Sequence, residues 1–184
     1  MRICLLIPGP LSFTSGGYLY DRHLVDFLRR QGHQVDVASL RPRPYAASLL
    51  ANLDSRLPRR LELGGYDVLL QDELAHPSLF AANAGIRKRL RCPVVSVVHH
   101  LLCREPGGRP LFSLLQRAVE RRYLESADAL VLSSCHAREC TRTLLSGLPE
   151  HVVAPPGADH AGHALSPHSI TQRSDDGPLQ LLFV

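Results

Sequence analysis

Residues 2–39 read RICLLIPGPLSFTSGGYLYDRHLVDFLRRQGHQVDVAS, and this stretch decides the fold of the chain. The short apolar run at 3–7 is stopped by a proline and predicts a buried strand. A polar loop follows and ends in Gly16-Gly17, after which residues 18–30 show helical spacing and residues 34–39 read as a second strand. Strand, glycine loop, helix and strand in this order predict a βαβ unit at the amino terminus.

The helix predicted over residues 18–30 is amphipathic by its spacing. Its apolar face holds Leu24, Phe27 and Leu28, with Leu19, Tyr20 and Val25 beside it. The charged residues lie mostly away from that face: Asp21, Arg22, Asp26, Arg29 and Arg30. We therefore expect the apolar face to pack on the sheet and the charged residues to meet solvent.

Strand and helix patterns alternate along the rest of the chain. Further strands are predicted over residues 66–71, 93–98, 128–132 and 151–154, and helices over 45–53, 77–90, 110–126 and 136–145. The run at 93–98 is apolar on both faces, as in a parallel sheet that is covered on each side. This order predicts an α/β fold: a doubly wound, mostly parallel sheet with helices on both faces.

Composition limits the classes of function. The chain of 184 residues has a net charge of +4 and a pI of about 9.0, yet its arginines are scattered and no recognition motif or basic tail is present. We therefore expect no nucleic-acid partner. Five cysteines without framework spacing, no secretory signal and no apolar run of membrane-spanning length predict a cytoplasmic protein.

The segment that follows the second predicted strand mixes apolar residues and arginines. The helix over residues 45–53 is followed by Arg56, Arg59 and Arg60. This mixture can lie on an anionic membrane surface, which predicts a weak membrane contact. A surface helix that packs on its own domain explains the same pattern, and the sequence leaves both interpretations open.

The predicted sheet brings distant residues together, since ligands of such sheets bind beyond the carboxyl ends of the strands. The residues expected along that edge are Gly16, Gly17, Glu73, His99 and Ser134. The amides that start the first helix suit a phosphate group. Simpler interpretations exist: the glycine pair only turns the chain, and the histidines only bond to the backbone. No metal site is predicted, because Cys135 and Cys140 diverge on a helix and no second ligand pair stands near them.

The end of the chain differs in kind. Residues 158–178 are polar, rich in His, Ser, Pro and Gly, and read as a linker. Residues 179–184 (LQLLFV) read as the first strand of a second domain that the chain does not contain. We therefore expect residues 1–157 to form one domain of a longer protein.

Four segments together resemble the amino-terminal domain of retaining glycosyltransferases of family 4, which have the two-domain GT-B fold. They are the glycine loop SGG at 15–17, VVSVVHH at 94–100, SADALVLSS at 126–134, and VVAPPGAD at 152–159. The last is similar to the strand that leads into the domain linker of this family. Residues 181–184 (LLFV) are similar to the strand that opens its nucleotide-sugar domain.

The resemblance implies a function and a set of roles. The absent carboxyl-terminal domain would bind most of the nucleotide-sugar donor, and this domain would supply the acceptor site. Gly16 and Gly17 match the loop that faces the diphosphate, and His99 matches the histidine that contacts the transferred sugar, with His100 as the alternative. Glu73 and Ser134 are candidates by their position at the edge.

The implied reaction is glycosyl transfer with retention, without a metal or another cofactor, and residues 1–184 alone are expected to be inactive. A different class remains open from the residues alone: a non-catalytic, doubly wound module that binds a small phosphorylated ligand at the same edge.

Overall fold

Six parallel strands form one sheet in the computed structural model, which describes residues 1–105 and 110–157. The strands are β1 (Arg2–Pro8), β2 (Gln34–Leu40), β3 (Val68–Asp72), β4 (Val94–Val98), β5 (Ala129–Leu132) and β6 (Glu150–Val153). Their order across the sheet is β2-β1-β3-β4-β5-β6, and every neighbouring pair is parallel. The predicted α/β fold and its six strands are confirmed. The predicted linker at 158–178 and the strand at 179–184 lie outside the described residues.

Seven α-helices connect or follow these strands in the described part of the chain. They are α1 (Gly16–Arg30), α2 (Tyr45–Leu50), α3 (Arg56–Gly64), α4 (His76–Leu79), α5 (Ala82–Arg89), α6 (Pro110–Leu124) and α7 (Cys135–Leu144). The prediction of one helix over residues 77–90 is wrong, because α4 and α5 are separate helices. The segment predicted as a helix over 45–53 is α2 followed by a 3-10 turn at Ala51–Leu53.

Asn52 is the physical cause of the break between α4 and α5. Its Oδ1 accepts hydrogen bonds from the backbone N–H groups of Ala81 and Ala82, at 2.9 and 3.0 Å. Its Nδ2 donates to the carbonyl oxygens of Leu49 and Pro77. A side chain from another element therefore caps the start of α5, and no local pattern within residues 77–90 predicts it.

The sheet is covered on both faces, as predicted. Side chains of β1 alternate between two apolar clusters: Ile3, Leu5 and Ile7 belong to one, and Cys4 and Leu6 to the other. The first cluster includes Tyr18 and Val25 of α1, and the second takes buried residues from α3 to α7. Buried apolar area on two faces supplies most of the stabilisation of such a sheet.

The first helix buries only part of the face that its apolar spacing predicts, since Leu24 and Leu28 are partly buried against the first cluster. Its buried residues are Tyr18, Asp21 and Val25, and Asp21 is 0% exposed. Phe27, expected on the packed face, is 51% exposed. The expectation for Asp21 is therefore wrong: the helix turns this carboxylate inward and leaves part of its apolar surface uncovered.

The segment of α2 and α3 packs on the domain through Ser48, Pro58 and Leu61, which are buried. The same segment exposes three leucines, Leu50, Leu53 and Leu63. Among the described residues, no helix has both the length and the apolar character needed to cross a bilayer.

Candidate functional site at the carboxyl edge of the sheet

The carboxyl ends of the central strands lie where the strand order reverses, since β2 and β3 flank β1 on opposite sides. Ligand sites of open α/β sheets form at this point. The chain delivers Asp72 and Glu73 there at the end of β3, His99 and His100 after β4, and the Ser133-Ser134 pair after β5. The structure therefore brings segments that are far apart in sequence to one edge, as predicted.

The glycine pair begins α1 beside His99. Ser15 caps the helix, because its Oγ accepts the N–H of Tyr18 at 3.4 Å. A methyl group on Gly17 would lie 3.2 Å from Cδ2 of His99, whereas one on Gly16 would meet no atom within 4 Å. Gly17 thus allows the close approach of the imidazole, and Gly16 leaves the first turn of the helix open.

A cavity of about 880 Å³ lies along the start of α1 and the ends of β5 and β6. Its lining comprises Gly16, Gly17, Leu19, Tyr20, His23, Leu24, Phe27, Arg30, His99, Ser133, Ser134, Ala154, Pro155, Pro156 and Gly157. Four of the six residues singled out from the sequence are among them. Leu19, Leu24 and Phe27 of α1 supply the apolar side of this lining.

His99 is held at both backbone groups. Its N–H donates to Oε2 of Glu73 at 2.7 Å, and its carbonyl oxygen accepts a hydrogen bond from Oγ of Ser133 at 3.0 Å. Its ring also packs against that of Tyr20 in a T-shaped contact, with 5.1 Å between ring centroids. The imidazole therefore enters the cavity from a rigid support.

His100 and Glu73 do not line this cavity. The side chain of His100 is 49% exposed, and its Nε2 lies 3.0 Å from Oε1 of Glu105. Glu73 is 1% exposed, and burial together with Asp72 raises its pKa well above the usual value. Its carboxylate supports the backbone of His99 from inside the protein, so of the two neighbouring histidines only His99 faces the cavity.

Ser134 combines two positions. Its Oγ accepts the N–H of Ala137 at 3.0 Å and caps α7. It also lines the cavity, so the start of a second helix faces the same space as the start of α1. Two helix starts on one cavity give it a positive potential that suits an anion.

A buried cluster of Asp21, Asp72 and His99 lies beneath the cavity. One carboxylate oxygen of each aspartate and one imidazole nitrogen of His99 all lie within 4.8 Å of one another. This spacing suits either a bound cation or a proton shared between the side chains. Both oxygens of Asp21, Oδ2 of Asp72 and Nε2 of His99 are buried without a hydrogen-bond partner in the described part of the chain. Burial and the neighbouring Asp21 raise the pKa of Asp72 to about 7.

Sequence reasoning missed the role of Asp21. The available signal was its position, one helical turn after Gly17, which places both residues on one face of α1. The spacing of the apolar residues instead predicted that Asp21 lies on the solvent face of the helix.

A smaller cavity of about 270 Å³ lies on the other side of Tyr18, beyond the ends of β1, β2 and β3. Its lining includes Arg41, Arg43 and Tyr45, which follow β2, and Pro77 and Ser78 of α4. No ion pair of Arg41 or Arg43 is found within residues 1–105 and 110–157. The two cavities divide the carboxyl edge into an apolar half and a half bordered by arginines.

A family model described as Glycosyltransferase Family 4 matches residues 19–161, which include His99 and Ser134 and begin just after the glycine pair. No curated protein matches the sequence.

Proposed function

The chain belongs to glycosyltransferase family 4, and on this premise we propose that it takes part in retaining transfer of a sugar from a nucleotide-sugar donor to an acceptor. The reaction we propose needs no metal. The helix starts at Gly16 and after Ser134 supply the positive potential that the leaving diphosphate requires, because their amide groups are fixed in place before the charge develops.

The observation that carries this proposal is the cavity of about 880 Å³, where the start of α1, the cap of α7 and the ring of His99 meet. A diphosphate fits the two helix starts, and the imidazole lies beside them, where a sugar attached to the diphosphate would follow. His99 is accordingly our candidate for the contact with the transferred sugar, ahead of His100.

The apolar part of the cavity lining supports a second domain as the opposite wall. Leu19, Leu24 and Phe27 line the cavity along one side of α1; Phe27 is exposed there, whereas Leu19 and Leu24 are partly buried. Closure of a second domain over them would exclude water from the reacting groups. A linker over residues 158–178 and a donor domain that begins at 179 stay predictions.

The cavity of about 270 Å³ is our candidate for the acceptor site. Arg41 and Arg43 border it, and a guanidinium group forms paired hydrogen bonds with carboxylate or phosphate. An acceptor that carries such an anionic group fits this cavity better than a neutral one.

The test uses the protein expressed from its complete gene and a panel of nucleotide sugars, with and without EDTA. We expect transfer that EDTA does not reduce, a product with the anomeric configuration of the donor by NMR, and a loss of about 100-fold or more in kcat for His99→Ala. His100→Ala is the matched control and should retain most of the activity. Equal rates for wild type and His99→Ala would contradict the site.

The same panel separates the alternative class, a binding module for a small phosphorylated ligand. Such a module would bind nucleotides without turnover by the complete protein. Residues 1–184 alone should show no turnover, and robust activity of this piece would contradict the need for a second domain.

All five cysteines are free thiols, which supports our proposal of a cytoplasmic location.

A further inference from the structure

Asp21 lies directly behind His99, and only His99 lines the cavity. Oδ1 of Asp21 is 3.5 Å from Nε2 of His99, and the Asp21 side chain is 0% exposed. Both oxygens of the carboxylate and Nε2 are buried without a hydrogen-bond partner among the residues described. A buried carboxylate without donors is costly unless a neighbour compensates its charge, and Nε2 is one of its closest polar neighbours.

The imidazole has little freedom to turn away from this contact. Gly17 packs against Cδ2 on one side, Tyr20 meets the ring in a T-shaped contact, and the backbone of His99 is bonded at both its N–H and its carbonyl oxygen. With Nε2 directed at Asp21, Nδ1 is the ring nitrogen left for a ligand.

A proton on Asp72 can neutralise the remaining negative charge of the cluster, so the cluster does not require a bound cation. Asp72 lies next to Asp21, and burial beside that carboxyl group raises the pKa of Asp72 to about 7. Asp72 can therefore hold a proton near neutral pH and donate it toward Asp21. Its Oδ1 already accepts the N–H of Leu74 at 2.8 Å, which keeps this carboxyl group in place.

We propose that Asp21 is a positioning residue that keeps the proton of His99 on Nε2 and thereby presents an unprotonated Nδ1 to the cavity. In a neutral imidazole one nitrogen donates and the other accepts, and the partner of the first decides the role of the second. Nδ1 then accepts a hydrogen bond from a hydroxyl group of the sugar, whereas a phosphate oxygen, which needs a donor, is left to the helix amides. The sugar as ligand rests on the proposed function, whereas the tautomer of His99 rests only on the contact with Asp21.

The test of the geometry is the tautomer of His99, read from long-range ¹H–¹⁵N NMR spectra of the imidazole in the 184-residue chain. We expect wild type to hold the Nε2–H form, and Asp21→Asn to shift the ring several-fold toward Nδ1–H. Asp26→Asn is the matched control, since Asp26 is exposed on the same helix, and it should leave the spectrum unchanged. An Nδ1–H form in wild type overturns the proposal without any variant, so the test survives if Asp21→Asn fails to fold.

The kinetic readout uses the protein from the complete gene. Asp21→Asn should lower kcat about 10- to 100-fold with little change in the KM of the donor, because orientation of the ring matters most in the transition state. Asp26→Asn should match wild type. Unchanged kcat together with an unchanged tautomer overturns the proposal.

Two further outcomes separate the possible failures. If the tautomer depends on Asp21 but no nucleotide sugar is turned over by wild type, the geometry stands and the proposed function fails. If EDTA, Mg²⁺ or Zn²⁺ changes the ring signals of His99, the cluster is a cation site and the proposal is overturned.

Discussion

At the scale of single residues, the two adjacent glycines have unequal roles. Gly16 is exposed with no atom near the position of a methyl group, and Gly17 lies against the ring of His99. The sequence presents them as one pair. Only the approach of β4 to α1, between residues more than 80 positions apart, brings the imidazole against Gly17 and leaves Gly16 facing open space.

We therefore predict a loss of activity for alanine at Gly17. Gly17→Ala should move the imidazole by a few tenths of an ångström and lower the kcat of the complete protein ~10-fold. Gly147→Ala is the control: a methyl group there also meets no atom within 4 Å, and Gly147 does not line the cavity, so this variant should keep the kcat and the free energy of unfolding of wild type. Urea unfolding and kcat check both, and equal kcat values for the two variants would contradict the contact.

The raised pKa of Asp72 predicts how the free energy of unfolding depends on pH. Its pKa is raised to about 7 in the folded protein from an ordinary value of 3.8, so between these values the folded state holds a proton that the unfolded state has lost. The free energy of unfolding should consequently fall as pH rises from 5 to 8, by on the order of 2–3 kcal/mol from this group.

Asp72→Asn removes that titration and should flatten this part of the profile, measured by urea unfolding at several pH values. Glu139→Gln is the control: Arg142 lowers the pKa of this exposed carboxyl group, so it is ionised in both states from pH 5 to 8. Its profile should follow that of wild type. A slope in Asp72→Asn as steep as in wild type would refute the assignment.

At the scale of elements, Asn52 decides where α5 begins. Asn52→Ala removes two bonds to backbone N–H groups and two to carbonyl groups, and should lower the free energy of unfolding by about 2 kcal/mol. Asn52→Asp keeps the acceptor for Ala81 and Ala82 but loses both donors, so an intermediate loss is expected. A loss under 0.5 kcal/mol for alanine in urea unfolding would show that the cap contributes little.

Elements also show what sequence patterns can and cannot predict here. The strands were predicted correctly because strands buried on both faces, such as residues 94–98, have mostly apolar sequences. Such a run can be recognised from the local sequence alone. The split of the helix after Leu79 and the inward turn of Asp21 could not be predicted, because both depend on contacts with distant elements. In the site, His99 was found by its place at a strand end, and its buried partner was not.

At the scale of the whole molecule, the exposed leucines and arginines of α2 and α3 bear on the expected membrane contact. Leu50 and Leu53 are 66% and 83% exposed, and Arg59 and Arg60 are exposed on the next helix. We predict weak co-sedimentation with vesicles that contain anionic lipid and none with neutral vesicles, because each arginine near an anionic surface contributes about 1 kcal/mol.

Arg59→Ala with Arg60→Ala should lower the bound fraction roughly 30-fold, since two arginines contribute about 2 kcal/mol. Leu50→Ser with Leu53→Ser should also lower it. Arg121→Ala with Arg122→Ala removes the same charge from exposed positions of α6 and should have little effect. If wild type stays in the supernatant even with anionic vesicles, the leucines serve no membrane contact.

The hydroxyl group of Tyr20 donates a hydrogen bond to the carbonyl oxygen of Ala154 at 2.9 Å, while its ring packs on His99. Ala154 is the first residue beyond β6, where the backbone leaves the sheet. The side chain of Tyr20 thus connects the backbone at Ala154 to the imidazole of His99. A displacement of the backbone at Ala154 would therefore reach the imidazole of His99 through the side chain of Tyr20.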